Sequence, residues 1–162
     1  MASPQINETS FNIRGTEIHY EPKKNSFQVI GDAVAKRIVP SVNDEEQKVQ
    51  LLKARKFYVV LNDSEQSLKK SSDTIKKIIC EEKVMYKEDN LTIKADNCVY
   101  FSGTKGGNLD SERIICTGNV ILIKGNKILK GDKGEANLHT GIYKVTSSQK
   151  VQAIIPLSKN HS

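Results

Sequence analysis

"IICTGNVILIKGNKILKGD" (Ile114 to Asp132) follows "IICEEKVMYKEDNLTIKAD" (Ile78 to Asp96) at an offset of thirty-six residues, with apolar and polar positions in the same phase. Cys80 and Cys116, Val84 and Val120, Asn90 and Asn126, Lys94 and Lys130, and Asp96 and Asp132 correspond without a gap. Each copy reads as a strand, a tight turn ("EDN" or "KGN"), a second strand ending in Ala-Asp or Gly-Asp, and a further strand ("NCVYF" or "GEANL"). A fixed period of this length is the signature of stacked units that share one interior.

Weaker copies lie upstream. "FQVIGDAVA" falls in phase with "IICTGNVIL" when Gly31 stands for Gly118 and Ala33 for Val120. "LKARKFY" then matches "IKADNCV", with Ala54 for Ala95, after about ten extra residues around Pro40. "IRGTEIHY" is a half-unit with Gly15 in that place. Alternation assigns one side to Ile114, Cys116, Gly118, Val120 and Leu122, and the matching side upstream to Phe27, Val29, Gly31, Ala33 and Ala35. The opposite side carries Arg113, Thr117 and Asn119, but also Ile115, Ile121 and Ile123, so the alternation is not clean. The small residues Gly15, Ala54, Ala95 and Gly131 recur where a strand would bend from one sheet into a facing one. Glu81, Glu82 and Lys83 replace the Thr117, Gly118 and Asn119 of the later copy, which predicts a different crossing there.

Strand signals also cover Phe11 to Tyr20, Ser26 to Lys36 and Gln50 to Leu61. "EEQKVQLLKARKF" has helical spacing as well, and Asn62 to Lys77 reads as a long connection. The expected architecture is all-β, an open jellyroll of two facing antiparallel sheets. It forms one domain over residues 11–156, with flexible ends at 1–10 and 157–162.

The composition bounds the function. The chain has 162 residues, 37% hydrophobic and 27% charged, with no Trp and a net charge of +6. Its pI of about 9.2 points to an anionic partner: nucleic acid, a phospholipid surface or a phosphorylated glycolipid. No apolar run is long enough for a membrane helix, and "MASPQINETS" does not read as a secretory leader. His19, His139 and His161 are scattered, and no GxSxG, HExxH or phosphate-binding loop appears, so neither an enzyme nor a cofactor or metal site is expected. Three cysteines without a CxxC fit no zinc site or disulfide framework. Cys80 and Cys116 fall in the same place on neighbouring rungs, where their α-carbons can reach disulfide distance. Buried free thiols are the preferred reading. Lys124, Lys127, Lys130 and Lys133 read as a solvated face in preference to a phosphate site.

The phased copies resemble the OstA-like (LptA) family of periplasmic lipopolysaccharide-transport proteins, through the pattern I-x-x-x-G-N-V-x-L-x-x-G-x-x-x-L-x-G-D. The tail "ANLHTGIYKVTSSQKVQAIIP" is similar to that family's closing strands, and the likeness runs from Phe11 to Pro156. It points to the bridge branch, LptA, over LptC, whose N-terminal apolar helix is not seen here. The resemblance implies an open β-jellyroll in the periplasm that shields the acyl chains of lipid A. A twelve-carbon chain in water costs about 10 kcal/mol at ~0.8 kcal/mol per methylene. The expected groove is lined by Phe27, Val29, Val84, Tyr86, Ile93, Ile114, Val120, Leu122 and Leu129, which in a closed sandwich would be core. It further implies edge contacts through Ile13, Ile18, Tyr20, Val151, Ala153 and Ile155. The N-terminal edge would meet LptC and the C-terminal edge LptD, with head-to-tail homo-oligomers possible because unlike edges lack strong blocking. Two other readings stay open. One is a protein-binding β-solenoid or LptC-like assembly module without lipid. The other is a single-stranded nucleic-acid-binding domain, for which Phe57, Tyr58, Tyr100 and Phe101 are the aromatic candidates.

Overall fold

A computed structural model describes residues 10–39, 48–62, 74–103 and 112–157. The insertion around Pro40 and most of the connection after Asn62 lie outside the described residues, as do nearly all of the two expected flexible ends. The strands are β1 (Asn12–Arg14), β2 (Glu17–Glu21), β3 (Ser26–Val39), β4 (Lys48–Leu61), β5 (Ile75–Glu88) and β6 (Leu91–Phe101). They continue as β7 (Arg113–Lys124), β8 (Lys127–Asn137), β9 (Ile142–Thr146) and β10 (Gln152–Ile154). All pair antiparallel in one sheet of order β1-β3-β4-β5-β6-β7-β8-β10, with β2 also on β3 and β9 also on β8. The facing layers are therefore two halves of one sheet, folded over a common line of corners.

The corners follow from a mismatch of one residue. On β3, β5 and β7 the register slips by one residue against each neighbour, at Ile30/Ala33, Glu81/Val84 and Thr117/Val120. Two residues then face one, a β-bulge that bends the strand. Each pair is left-handed: Gly31 and Asp32 (φ 90° and 45°), Glu82 and Lys83 (67° and 55°), Gly118 and Asn119 (86° and 49°). The expectation that Glu82–Lys83 would cross differently is overturned, because the register forces the same corner on non-glycine residues. Half-sheet I contains β2, β9 and residues 26–30, 56–61, 75–81, 97–101, 113–117 and 133–137. Half-sheet II contains β1, β10 and residues 33–39, 48–54, 84–88, 91–95, 120–124 and 127–131.

The second and further strands of each repeat are thus one bent strand, β6 or β8. The "EEQKVQLLKARKF" stretch is strand from Lys48 onward, and β5 begins at Ile75, inside the expected connection. The small residues serve packing beneath the corner. A Cβ on Gly15 would lie 2.5 Å from Val29 Cγ1, and one on Gly131 would lie 2.6 Å from Val145 Cγ1. Ala54 and Ala95 are buried in the same layer.

The cysteine expectation is also corrected. Cys98 lies between the other two, opposite Cys80 on β5 and Cys116 on β7. The disulfide joins Cys98 to Cys116, and Cys80 is the free thiol. Spacing alone aligned Cys80 with Cys116 and missed the strand between them. Burial pushes the Cys80 thiol up, leaving it protonated and unreactive.

The corner predicts opposite effects for two substitutions. A Cβ at Gly118 would lie 2.6 Å from Asp96 Oδ2, at a φ of +86°. Gly118→Ala should therefore lower stability by about 2 kcal/mol. Glu82→Gly relieves a left-handed side chain and should raise stability by about 1 kcal/mol. The exposed Arg55–Glu82 pair at 3.9 Å offsets little of that. Urea unfolding of both variants checks the signs.

Candidate functional site: the interior between the half-sheets

The space between the half-sheets is lined by the inward members of every long strand. Val29, Val84, Tyr86, Ile93, Ile114, Val120 and Leu122 are each 2% exposed or less, and Phe27 and Leu129 are partly buried against them. All nine expected groove residues therefore face the interior, which these side chains fill. Sequence reasoning omitted Phe57, Ile78 and Tyr100 from this set, although they are fully buried within it. Phe57 and Tyr100 were weighed as nucleic-acid contacts instead. Their register separates them from their neighbours: Phe57 and Tyr100 point inward, while Tyr58 and Phe101 lie on the outer face of half-sheet I. There Lys56 covers the Tyr58 ring at 4.8 Å and Arg113 the Phe101 ring at 4.6 Å.

One end of the interior carries a polar bridge that the sequence did not signal. Glu112, just before β7, accepts hydrogen bonds from Arg37 Nη2 at 2.9 Å, Gln50 Nε2 at 3.2 Å and the Tyr100 hydroxyl at 2.7 Å. Arg37 and Gln50 belong to half-sheet II, whereas Glu112 and Tyr100 belong to the half-sheet I side, so these bonds span the two halves. Gln50 Nε2 also donates to the Tyr86 hydroxyl at 2.9 Å, which donates to Glu88 Oε1 at 2.6 Å. Phe11 completes the cluster, with Arg37 5.1 Å over its ring and Tyr100 edge-on at 5.4 Å. Burial, reinforced by the neighbouring carboxylates, drives both tyrosine pKa values far up, so both stay protonated donors. Arg37 Nε and Gln50 Oε1 have no partner within this buried set. Farther along the seam lies a cleft of about 180 Å³ whose lining includes Lys48, Glu88, Leu91, Lys124, His139 and Tyr143, with the Lys124 ammonium 5.7 Å over the Tyr143 ring.

The expected edge residues do lie at the two ends of the sheet. Ile18 and Tyr20 are 50% and 53% exposed, Val151 and Ile155 are 42% and 60% exposed, Ala153 is exposed and Ile13 is half-buried. Tyr20 stacks on Phe27 at 4.7 Å, which ties that edge to the interior. Each edge strand is broken at the corner line, between β1 and β2 and between β9 and β10. At the second break Asp132 accepts from the Ser148 amide at 3.0 Å and from the Ser147 and Ser148 hydroxyls. These bonds, the Ser148 amide first, lower its pKa.

An all-β sheet folded along a corner line around an apolar interior, with two raw edges, defines an open β-jellyroll of the LptA-like kind. The crystal structure of LptH, described as the LptA homologous periplasmic component of the lipopolysaccharide transport device of Pseudomonas aeruginosa, has this fold. The TM-score is 0.67, over 91% of this chain and 95% of LptH, at 10% sequence identity. No protein-family pattern and no curated protein sequence matches the chain.

The bridge has a measurable signature. Arg37 and Glu112 keep only 17% and 14% of their side-chain surface exposed, so removing one partner strands the other. Glu112→Ala should cost on the order of 2–3 kcal/mol. Adding Arg37→Ala should cost much less than the sum of the single changes, read as the coupling energy of a double-mutant cycle.

Proposed function

We propose that this protein carries lipopolysaccharide across the periplasm, holding lipid A acyl chains between its half-sheets. The observation that carries this reading is the apolar interior, which runs unbroken from the β1–β2 edge to the β9–β10 edge. Its likeness to LptH supports it, since that protein is a component of a lipopolysaccharide transport device. The Cys98–Cys116 disulfide fits an oxidising compartment such as the periplasm. Carriage involves no catalytic step. It requires the half-sheets to part, because the lining side chains fill the space they enclose. The disulfide does not oppose this motion, since both cysteines lie in half-sheet I. In this reading the N-terminal edge meets LptC, the C-terminal edge meets LptD, and copies join head to tail by strand addition.

The filled interior also favours a second reading, an LptC-like or purely structural module that never opens. Photocrosslinking separates the two. A photoreactive residue at Val120, which points inward, should form adducts with lipopolysaccharide, and one at Asn119 on the corner should not. Adducts should increase in Glu112→Gln, where the bridge is weakened. A folded protein that gives no adduct at Val120 is the structural module.

A further inference from the structure

The outward faces of the two half-sheets differ in charge. The outer positions of half-sheet I mix signs: Glu17, Glu21, Glu81 and Glu135 stand among Lys56, Lys77, Arg113, Lys133 and Lys144. Those of half-sheet II carry Arg14, Lys36, Lys53, Lys87, Lys94 and Lys130, and among the described residues no acidic side chain. The cations are not clustered. Reading across the strands, one row runs Val34, Lys53, Met85, Lys94, Ile121, Lys130, alternating aliphatic and basic over six strands. The adjoining row places Lys36 and Lys87 on either side of Leu51 and continues to Ile123, Ile128 and Ile154. All six basic residues are exposed, while Leu51, Met85, Ile121, Ile123 and Ile128 are half-buried between them. This arrangement accounts for the isoleucines that spoil the alternation of β7: they belong to a second surface.

We propose that the outer face of half-sheet II is a docking surface for an anionic phospholipid bilayer. At such spacing lysine stems can lie along the neighbouring aliphatic side chains while their ammonium groups reach outward. Such a plane offers charges to lipid phosphates and, under them, apolar groups to the headgroup boundary. Eight strands at ~4.8 Å spacing make it more than 30 Å wide, an area large enough to engage many lipid headgroups. Nucleic acid fits less well, because base stacking needs exposed aromatic rings. The outward Tyr58 and Phe101 sit on the other face. The site is separate from the interior, so it stands whether or not the interior takes lipid.

Flotation of the full chain with vesicles tests the assignment. The protein should float with vesicles of phosphatidylglycerol and phosphatidylcholine, not with phosphatidylcholine alone, and binding should weaken as salt is raised. The variant Lys53→Gln/Lys94→Gln/Lys130→Gln should lose roughly a hundred-fold in affinity. The variant Lys77→Gln/Lys133→Gln/Lys144→Gln, of equal net charge, should lose much less. The single pair Lys94→Glu and Lys144→Glu repeats the comparison should a triple variant fail to fold. Equal losses on the two faces would reduce the effect to net charge and overturn the proposal. So would absence of flotation, or a preference for single-stranded DNA over the vesicles.

Discussion

The one-residue bulge at each corner is the constraint on which the rest depends. Strands of eleven to fourteen residues would otherwise make one extended twisted sheet with two faces to cover. Placing two left-handed residues opposite one neighbour turns every strand at the same level, so one face closes on itself. The count also fixes the side-chain phase. On β7 the inward series passes from Cys116 to Val120, an even step, and alternation continues unbroken through Gly118. On β6 it passes from Ala95 to Cys98, an odd step, so the period-two pattern slips at Asp96 and Asn97. Asp96 then fills the outside of the corner, where it accepts a hydrogen bond from Asn119 at 3.0 Å.

That slip explains what was legible in the sequence and what was not. The unbroken phase of β7 and β5 made the repeat visible, and with it the all-β class and the inward residues from Val84 to Leu122. The slipped phase made β6 and β8 each look like two strands, and across β4 and β6 it hid Phe57 and Tyr100 from the interior set. The bend was read from small residues, whose role proves to be clearance for Val29 and Val145. The left-handed Glu82–Lys83 pair was illegible because its sequence has no preference for that conformation. The disulfide was missed because repeat spacing compares alternate strands, whereas Cys98 sits on the strand between.

The polar bridge was beyond sequence reasoning for another reason. Arg37 and Gln50 pair in register on neighbouring strands, but Glu112 comes from the far end of the chain's fold-over. Only closure of the half-sheets brings a carboxylate to an arginine 75 residues away. Such a bridge is weak evidence of stability, because desolvating both charges offsets most of their attraction. Its physical effect is on specificity of closure: a purely aliphatic seam tolerates many spacings, whereas three donors on one carboxylate allow one. Among the described residues Arg37 Nε and Gln50 Oε1 find no hydrogen-bond partner, so part of the bridge's strength is already forfeited in the closed form.

The links between the halves are therefore unequal. Strand pairing runs continuously along the sheet in both halves, and the Cys98–Cys116 disulfide adds a covalent link within half-sheet I. Across the interior, among the described residues, the halves meet by apolar packing, the corners, the Glu112 bridge and the Lys124 ammonium 5.7 Å over the Tyr143 ring. An apolar chain entering from an edge would replace side-chain contacts with acyl contacts of similar kind, at little cost in buried apolar area. The polar bridge is different: an acyl chain cannot satisfy Arg37 or Glu112, so separation there exposes their cost in full. The structure thus resists opening most at the end held by Glu112. It resists less along the seam toward β8 and β9, where the link across the halves is the contact of the Lys124 ammonium with the Tyr143 ring at 5.7 Å.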